Sequence, residues 1–137
     1  FTGATITLGS GLVSNGNVTI ANSSPFSLTA GDISADGSFS QTGSGAVSLS
    51  NNISANSINF NSAVTFLTNQ ILTGTSSITF ASSVDGPGSL TINGNSGSVN
   101  FNADVGSSTV LSKSSNQLCI CCCFFWRYFS DKYFDHT

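Results

Sequence analysis

The segment Ser77–Gly106 reads SITFASSVDGPGSLTINGNSGSVNFNADVG, and its two halves repeat each other. Ser77-Ile78-Thr79-Phe80 leads to Val84, Asp85-Gly86 and Leu90-Thr91-Ile92. Ser98-Val99-Asn100-Phe101 leads to Val105, Gly106 and Val110-Leu111. Apolar positions match at 78/99, 80/101, 84/105 and 90/110, a step of 20 or 21 residues. The same apolar-polar-apolar triplet stands upstream at Ile58-Asn59-Phe60 and Val18-Thr19-Ile20, and more weakly at Ser38-Phe39-Ser40. Ile33 and Ile53 are again 20 apart. A fixed period in this range signals stacked repeats, each unable to bury its apolar face alone.

Within each triplet the alternation puts one set of side chains inward and the other outward, the signature of a strand. Runs of three to five residues end at Gly, Asn, Ser or Asp. Turn pairs follow at Asn15-Gly16, Asp36-Gly37, Asp85-Gly86 and Asn93-Gly94. Alone, each pair would suggest a hairpin. With the repeat, each bends the chain to the next face of a coil. Helical patterning is absent: Leu is sparse, Glu is missing, and no stretch spaces apolar residues by three and four. The expected fold is all-β, a parallel β-helix (β-solenoid) of about five coils. Its inner ladders would be Ile, Val and Phe, its outer ladders Thr, Ser and Asn. At roughly 4.8 Å per coil the body would be about 25 Å long. The competing architecture is an antiparallel sandwich of the same short strands, which requires no twenty-residue period. The least regular rung is Val64-Thr65-Phe66 with Ile71-Leu72.

Charge excludes several classes of partner. Only 7% of residues are charged, and residues 1–112 contain no Lys or Arg. Phosphate recognition rests on those side chains, so nucleic acid is not expected as a partner, nor is anionic lipid through a basic patch. The chain starts at Phe1 and lacks Met, which reads as a segment of something longer.

The pattern apolar-x-Phe, Val-x-Gly or Val-Gly, then Leu-Thr-Ile with Asn and Gly resembles the repeats of filamentous-haemagglutinin-type bacterial exoproteins. It is best over residues 77–111 and weaker over 4–76. Similar degenerate repeats occur in autotransporter passengers. The resemblance implies a right-handed parallel β-helix, export to the bacterial cell surface, and a non-enzymatic role as adhesin or rigid stalk. Implied partners are a host-cell surface or glycan and neighbouring repeats of a longer chain.

Few residues offer chemistry. The single histidine is His136 and there is no Glu, so Ser-His-Asp and Cys-His arrangements have no material in the body. A carbohydrate-active β-helical enzyme, the alternative reading, needs grouped carboxylates. The body offers Asp32, Asp36, Asp85 and Asp104. Asp85 and Asp104, 19 residues apart, would fall on neighbouring rungs beside their turns. Asp32-Ile-Ser-Ala-Asp-Gly37 sets oxygens of Asp32, Ser34 and Asp36 at alternate positions, with Gly37 where calcium loops bend sharply. The twelfth position is Gly43 and not the bidentate Glu of a full loop, and the competing reading is a turn in which Asp caps its own backbone. No cofactor is expected. Asn17, Asn22 and Asn52 head N-glycosylation triplets that a chain rich in Asn, Ser and Thr produces by chance. An ice-binding array would require uniform Thr columns, whereas the outward positions mix Thr, Asn and Ser.

At Leu118 the composition breaks. The run LCICCCFFWRYF, residues 118–129, has no Gly or Asn and holds all four Cys and the only Trp. Three adjacent thiols do not readily close a tetrahedral metal site. The uncharged run before Arg127 is too short to span a bilayer. The remaining readings are palmitoylation, a cap on the last coil, or an out-of-frame sequence foreign to the fold. The expected organisation is therefore a solenoid body over residues 1–117 and an atypical, poorly ordered tail over 118–137.

Overall fold

A computed structural model describes residues 1–95 and 97–107 of the chain. Val110-Leu111, the Cys-rich tail and the 117/118 boundary lie outside the described residues. Fourteen β-strands and no helix fill the described part. Five coils stack through parallel pairing alone. The first face carries β2 (Ile6–Leu8), β5 (Phe26–Leu28), β8 (Val47–Leu49), β10 (Val64–Phe66) and β12 (Val84–Asp85). The second carries β3 (Leu12–Ser14), β6 (Ile33–Ala35), the start of β9 (Ile53–Phe60), the start of β11 (Gln70–Phe80) and β13 (Leu90–Asn93). The third carries β1 (Thr2–Gly3), β4 (Val18–Asn22), β7 (Ser38–Gln41), the ends of β9 and β11, and β14 (Ser98–Phe101).

The register follows the sequence period. Ile58 pairs with Ile78 and Ile78 with Val99, Phe60 with Phe80 and Phe80 with Phe101, and Ile33 with Ile53. Val84 bridges Val105. Leu90, expected above residue 110, pairs on its other side with Gln70. Two strands exceed the expected length. β9 and β11 run from the second face onto the third, with a register shift between Gly74 and Ser77 taking up the corner.

Alternation fills the interior. Ile20, Phe26, Leu28, Ile33, Phe39, Leu49, Ile53, Phe60, Phe66, Leu72 and Phe80 are fully buried. Each such side chain contributes about 1.5–3 kcal/mol on leaving water. On the third face Phe60, Phe80 and Phe101 form a stack with centroids 5.4 and 4.9 Å apart and interplanar angles of 11° and 3°. Phe39 pairs with Ile58, one column over from Phe60, so its ring meets Phe60 diagonally at 54°.

The irregular rung has a geometric cause. Past the register row of Ile20, Gln41, Phe60, Phe80 and Phe101, five residues precede the first face in the first two coils (21–25 and 42–46). Only three intervene in the later ones (61–63, 81–83 and 102–104). Val64 follows its partner Val47 by 17 residues where Val47 follows Phe26 by 21; the shorter corner accounts for two of the four, and the links before Ile53 and before Ile58 are each shorter by one. Glycine serves the close approaches. A Cβ on Gly43 would run into the carbonyl oxygen of Asn22. Gly86, at φ 138°, stands equally close to the carbonyl of Phe66.

Candidate functional site

The outward residues of each face stack into columns. On the third face Thr19, Ser40, Asn59, Thr79 and Asn100 lie in register, beside a second column of Ser38, Ser57, Ser77 and Ser98. On the first face the column is Thr7, Ser27, Ser48, Thr65 and Asp85. On the second it is Val13, Ser34, Ser54, Thr73 and Asn93. Strand geometry spaces members of a column by about 4.8 Å and adjacent outward columns by roughly 6.6 Å. The result is a set of nearly uncharged surfaces offering a hydroxyl or amide in most coils, with Val13 and Asp85 the exceptions in these columns. The α-amino group of Phe1 is turned to the carbonyl of Thr19 at 2.6 Å.

Asp32, Ser34 and Asp36 are exposed but do not converge. Ile33–Ala35 is an extended strand, held between β3 and β9, so Asp32 and Asp36 are separated by roughly 13 Å of backbone. Calcium ligands must all reach within about 2.6 Å of one ion, which a curled loop allows and a strand does not. The Asp32 carboxylate instead caps the next coil, its Oδ1 accepting from the Asn52 amide N–H at 3.0 Å and its Oδ2 from Asn52 Nδ2 at 3.4 Å. Asn52 repeats the act one coil on, its Oδ1 accepting from the Ile71 amide at 2.8 Å. Asn17 does so for Ser38 at 2.9 Å and Asn69 for Ser89 at 3.1 Å. Asp85 and Asp104 occupy neighbouring rungs, on opposite sides of the Val84–Val105 bridge. Among the described residues no group of three His, Cys, Asp or Glu side chains is placed to hold a metal ion.

Sequence reasoning missed the polar interior. Asn22 and Gln41 are buried and fill the two wider corners. Gln41 Nε2 donates to Asn22 Oδ1 at 2.7 Å and to the Gly43 carbonyl at 2.9 Å, while Gln41 Oε1 accepts the amides of Asn61 and Ser62, both at 3.0 Å. Asn22 Nδ2 donates to the carbonyls of Ser24 and Gly45. Every polar atom of both amides is thereby matched. Gln70, equally buried, is matched on one side only. Its Nε2 donates to Thr68 Oγ1 at 3.2 Å, but its Oε1 has no partner among the described residues. Thr68 spends its own hydroxyl proton on the Ser50 carbonyl, so a flipped amide would gain nothing. In sequence these residues look like ordinary loop polar residues. The only signal was the shortened spacing around Val64. Asn22, one of the glycosylation triplets, is thereby enclosed in the core.

Among the described residues no helix is long and apolar enough to cross a membrane. Comparison with protein-family models, with curated proteins and with solved structures finds no match to this chain.

Proposed function

We propose that this chain is a structural and adhesive segment of a secreted bacterial surface exoprotein, working through its outer faces and without catalysis. The observation that carries the reading is the set of outward Ser, Thr and Asn columns, repeated coil by coil over an apolar interior. Such a surface makes many equivalent shallow contacts and concentrates no chemistry at one point. Its lack of positive charge favours a neutral glycan or a host-cell glycan coat over anionic polymers. Export and surface display follow from the resemblance to filamentous-haemagglutinin-type repeats. So does the expectation that neighbouring repeats of a longer chain stack on this one.

The test is a glycan array and a cell-binding assay with the 137-residue chain, free and displayed in many copies on beads. Weak binding of the free chain, a gain of about 10²-fold or more on multivalent display, and little response to added salt are expected. Release of reducing ends from a polysaccharide would instead establish the carbohydrate-active enzyme.

A further inference from the structure

We propose that the third face is a docking track for a neutral, unbranched β-1,4-linked glycan, which lies along the stack and is gripped by the side-chain amides of Asn59 and Asn100. The proposal rests on the adhesive reading above and assigns it one face and one class of ligand.

Three observations single out this face. It carries two adjacent polar columns, Ser38, Ser57, Ser77 and Ser98 beside Ser40, Asn59, Thr79 and Asn100. The other faces offer only one each. Beside Ser34 and Ser54 on the second face, Asp32 and Asn52 spend their side chains on capping, and Ile71 is apolar. At the edge of the first face the Thr29 hydroxyl is bonded to the Leu8 carbonyl, and Leu67 is apolar. The third-face side chains are also uncommitted, since none of the eight hydrogen-bonds to another described residue. No charged residue stands in the strands that present them, so a neutral ligand meets no unpaired charge there. Coils added at either end of the stack would lengthen both columns and cover neither.

The order within one column selects the ligand. Along Asn59, Thr79 and Asn100 an amide returns every second coil, at roughly 10 Å. An amide sets an acceptor and a donor side by side, which is what two neighbouring hydroxyls of a pyranose ring require. In a β-1,4-linked chain each ring is turned over relative to the last. The edge bearing the neighbouring hydroxyls therefore returns to the same side every second ring, and that two-ring repeat is close in length to two coils. With one such edge over Asn59, the next ring presents its ring oxygen and hydroxymethyl to Thr79, and the third returns the first edge to Asn100. The opposite edges pass Ser57, Ser77 and Ser98, in the column roughly 6.6 Å away. An α-1,4-linked chain coils and leaves this register.

Titrating the 137-residue chain by NMR with β-1,4-linked gluco- and manno-oligosaccharides of increasing length tests this. Affinity rises with length, the backbone shifts gather on β9, β11 and β14, and α-1,4-linked gluco-oligosaccharides bind more weakly. The double variant Asn59→Thr/Asn100→Thr places a residue that strands favour at both outward positions, so its urea midpoint stays that of the parent. Its binding weakens about tenfold, for the loss of one net hydrogen bond at each position. Ser48→Ala/Thr65→Ala, on the first face, binds as the parent does. Equal affinity for α- and β-linked chains, an unweakened Asn59→Thr/Asn100→Thr variant, or a loss through the first-face pair would overturn the proposal and leave the adhesive reading standing. So would binding to cells or other glycans with none to these oligosaccharides. Absence of binding to any glycan or cell would overturn both.

Discussion

Two buried glutamines with opposite accounts show how much a single residue decides here. Gln41 is fully partnered between the second and third coils. Replacing it with the near-isosteric Met strips the acceptor from the Ser62 amide and the donor from Asn22 Oδ1, while the Asn61 amide keeps the backbone carbonyl of residue 41 at 3.1 Å. Leaving such groups unpaired costs about 1–3 kcal/mol each where they are buried, less at the corner's half-exposed rim. Gln41→Met should therefore lose roughly 2–4 kcal/mol, read as a drop in the urea midpoint at unchanged slope. Gln70→Met removes an oxygen that has no partner and gives up only the 3.2 Å bond to Thr68. The same measurement should find it neutral or stabilised by up to about 1 kcal/mol. Neither role was visible in the sequence, because an amide in a Gly/Ser/Asn-rich link has the same composition whether it faces water or fills a corner. The Asp32, Ser34 and Asp36 oxygens stand apart for a related reason. Alternate spacing fixes the side of a strand on which oxygens stand, and the strand then holds them apart.

At the scale of elements, corners set what the strands can do. Gly43 belongs to a five-residue corner whose backbone passes against the Asn22 carbonyl. Gly43→Ala forces backbone to yield to backbone, and a loss toward the upper end of about 1–3 kcal/mol is expected in chemical denaturation. Gly16→Ala, in the open corner of the first coil, should stay within about 0.5 kcal/mol of the parent. Strand positions were legible wherever an apolar-polar-apolar triplet was intact. Ile58-Asn59-Phe60, Ile78-Thr79-Phe80 and Val99-Asn100-Phe101 stack as their spacing requires. The outer columns were legible by the same alternation. The Val64 rung was obscure because the four residues missing from the coil before it are spread over three links, which hides the register behind an irregular spacing. The merging of two faces into β9 and β11 was equally hidden, since Ala55-Asn56-Ser57 and Gly74-Thr75-Ser76-Ser77 carry no large apolar residue to mark a strand.

For the molecule as a whole, near-identical coils that touch only their neighbours make it modular. Val64 and Val84 are in register and both follow three-residue corners. Deleting Val64–Ser83 would therefore seat the fifth coil on the third, with Phe101 beneath Phe60. The shortened chain should still unfold in one cooperative transition, at lower stability. Its long dimension in small-angle scattering should fall by about 4.8 Å. The direction of the hydrogen bonds has a mechanical consequence. They lie along the stack, so a pull on its two ends loads them one coil at a time, as a zipper and not in shear. Each coil that lets go exchanges about 4.8 Å of shaft for roughly 65–70 Å of extended chain. Under tension the rod becomes a tether that lengthens stepwise, keeping its remaining coils intact while the released ones absorb the strain.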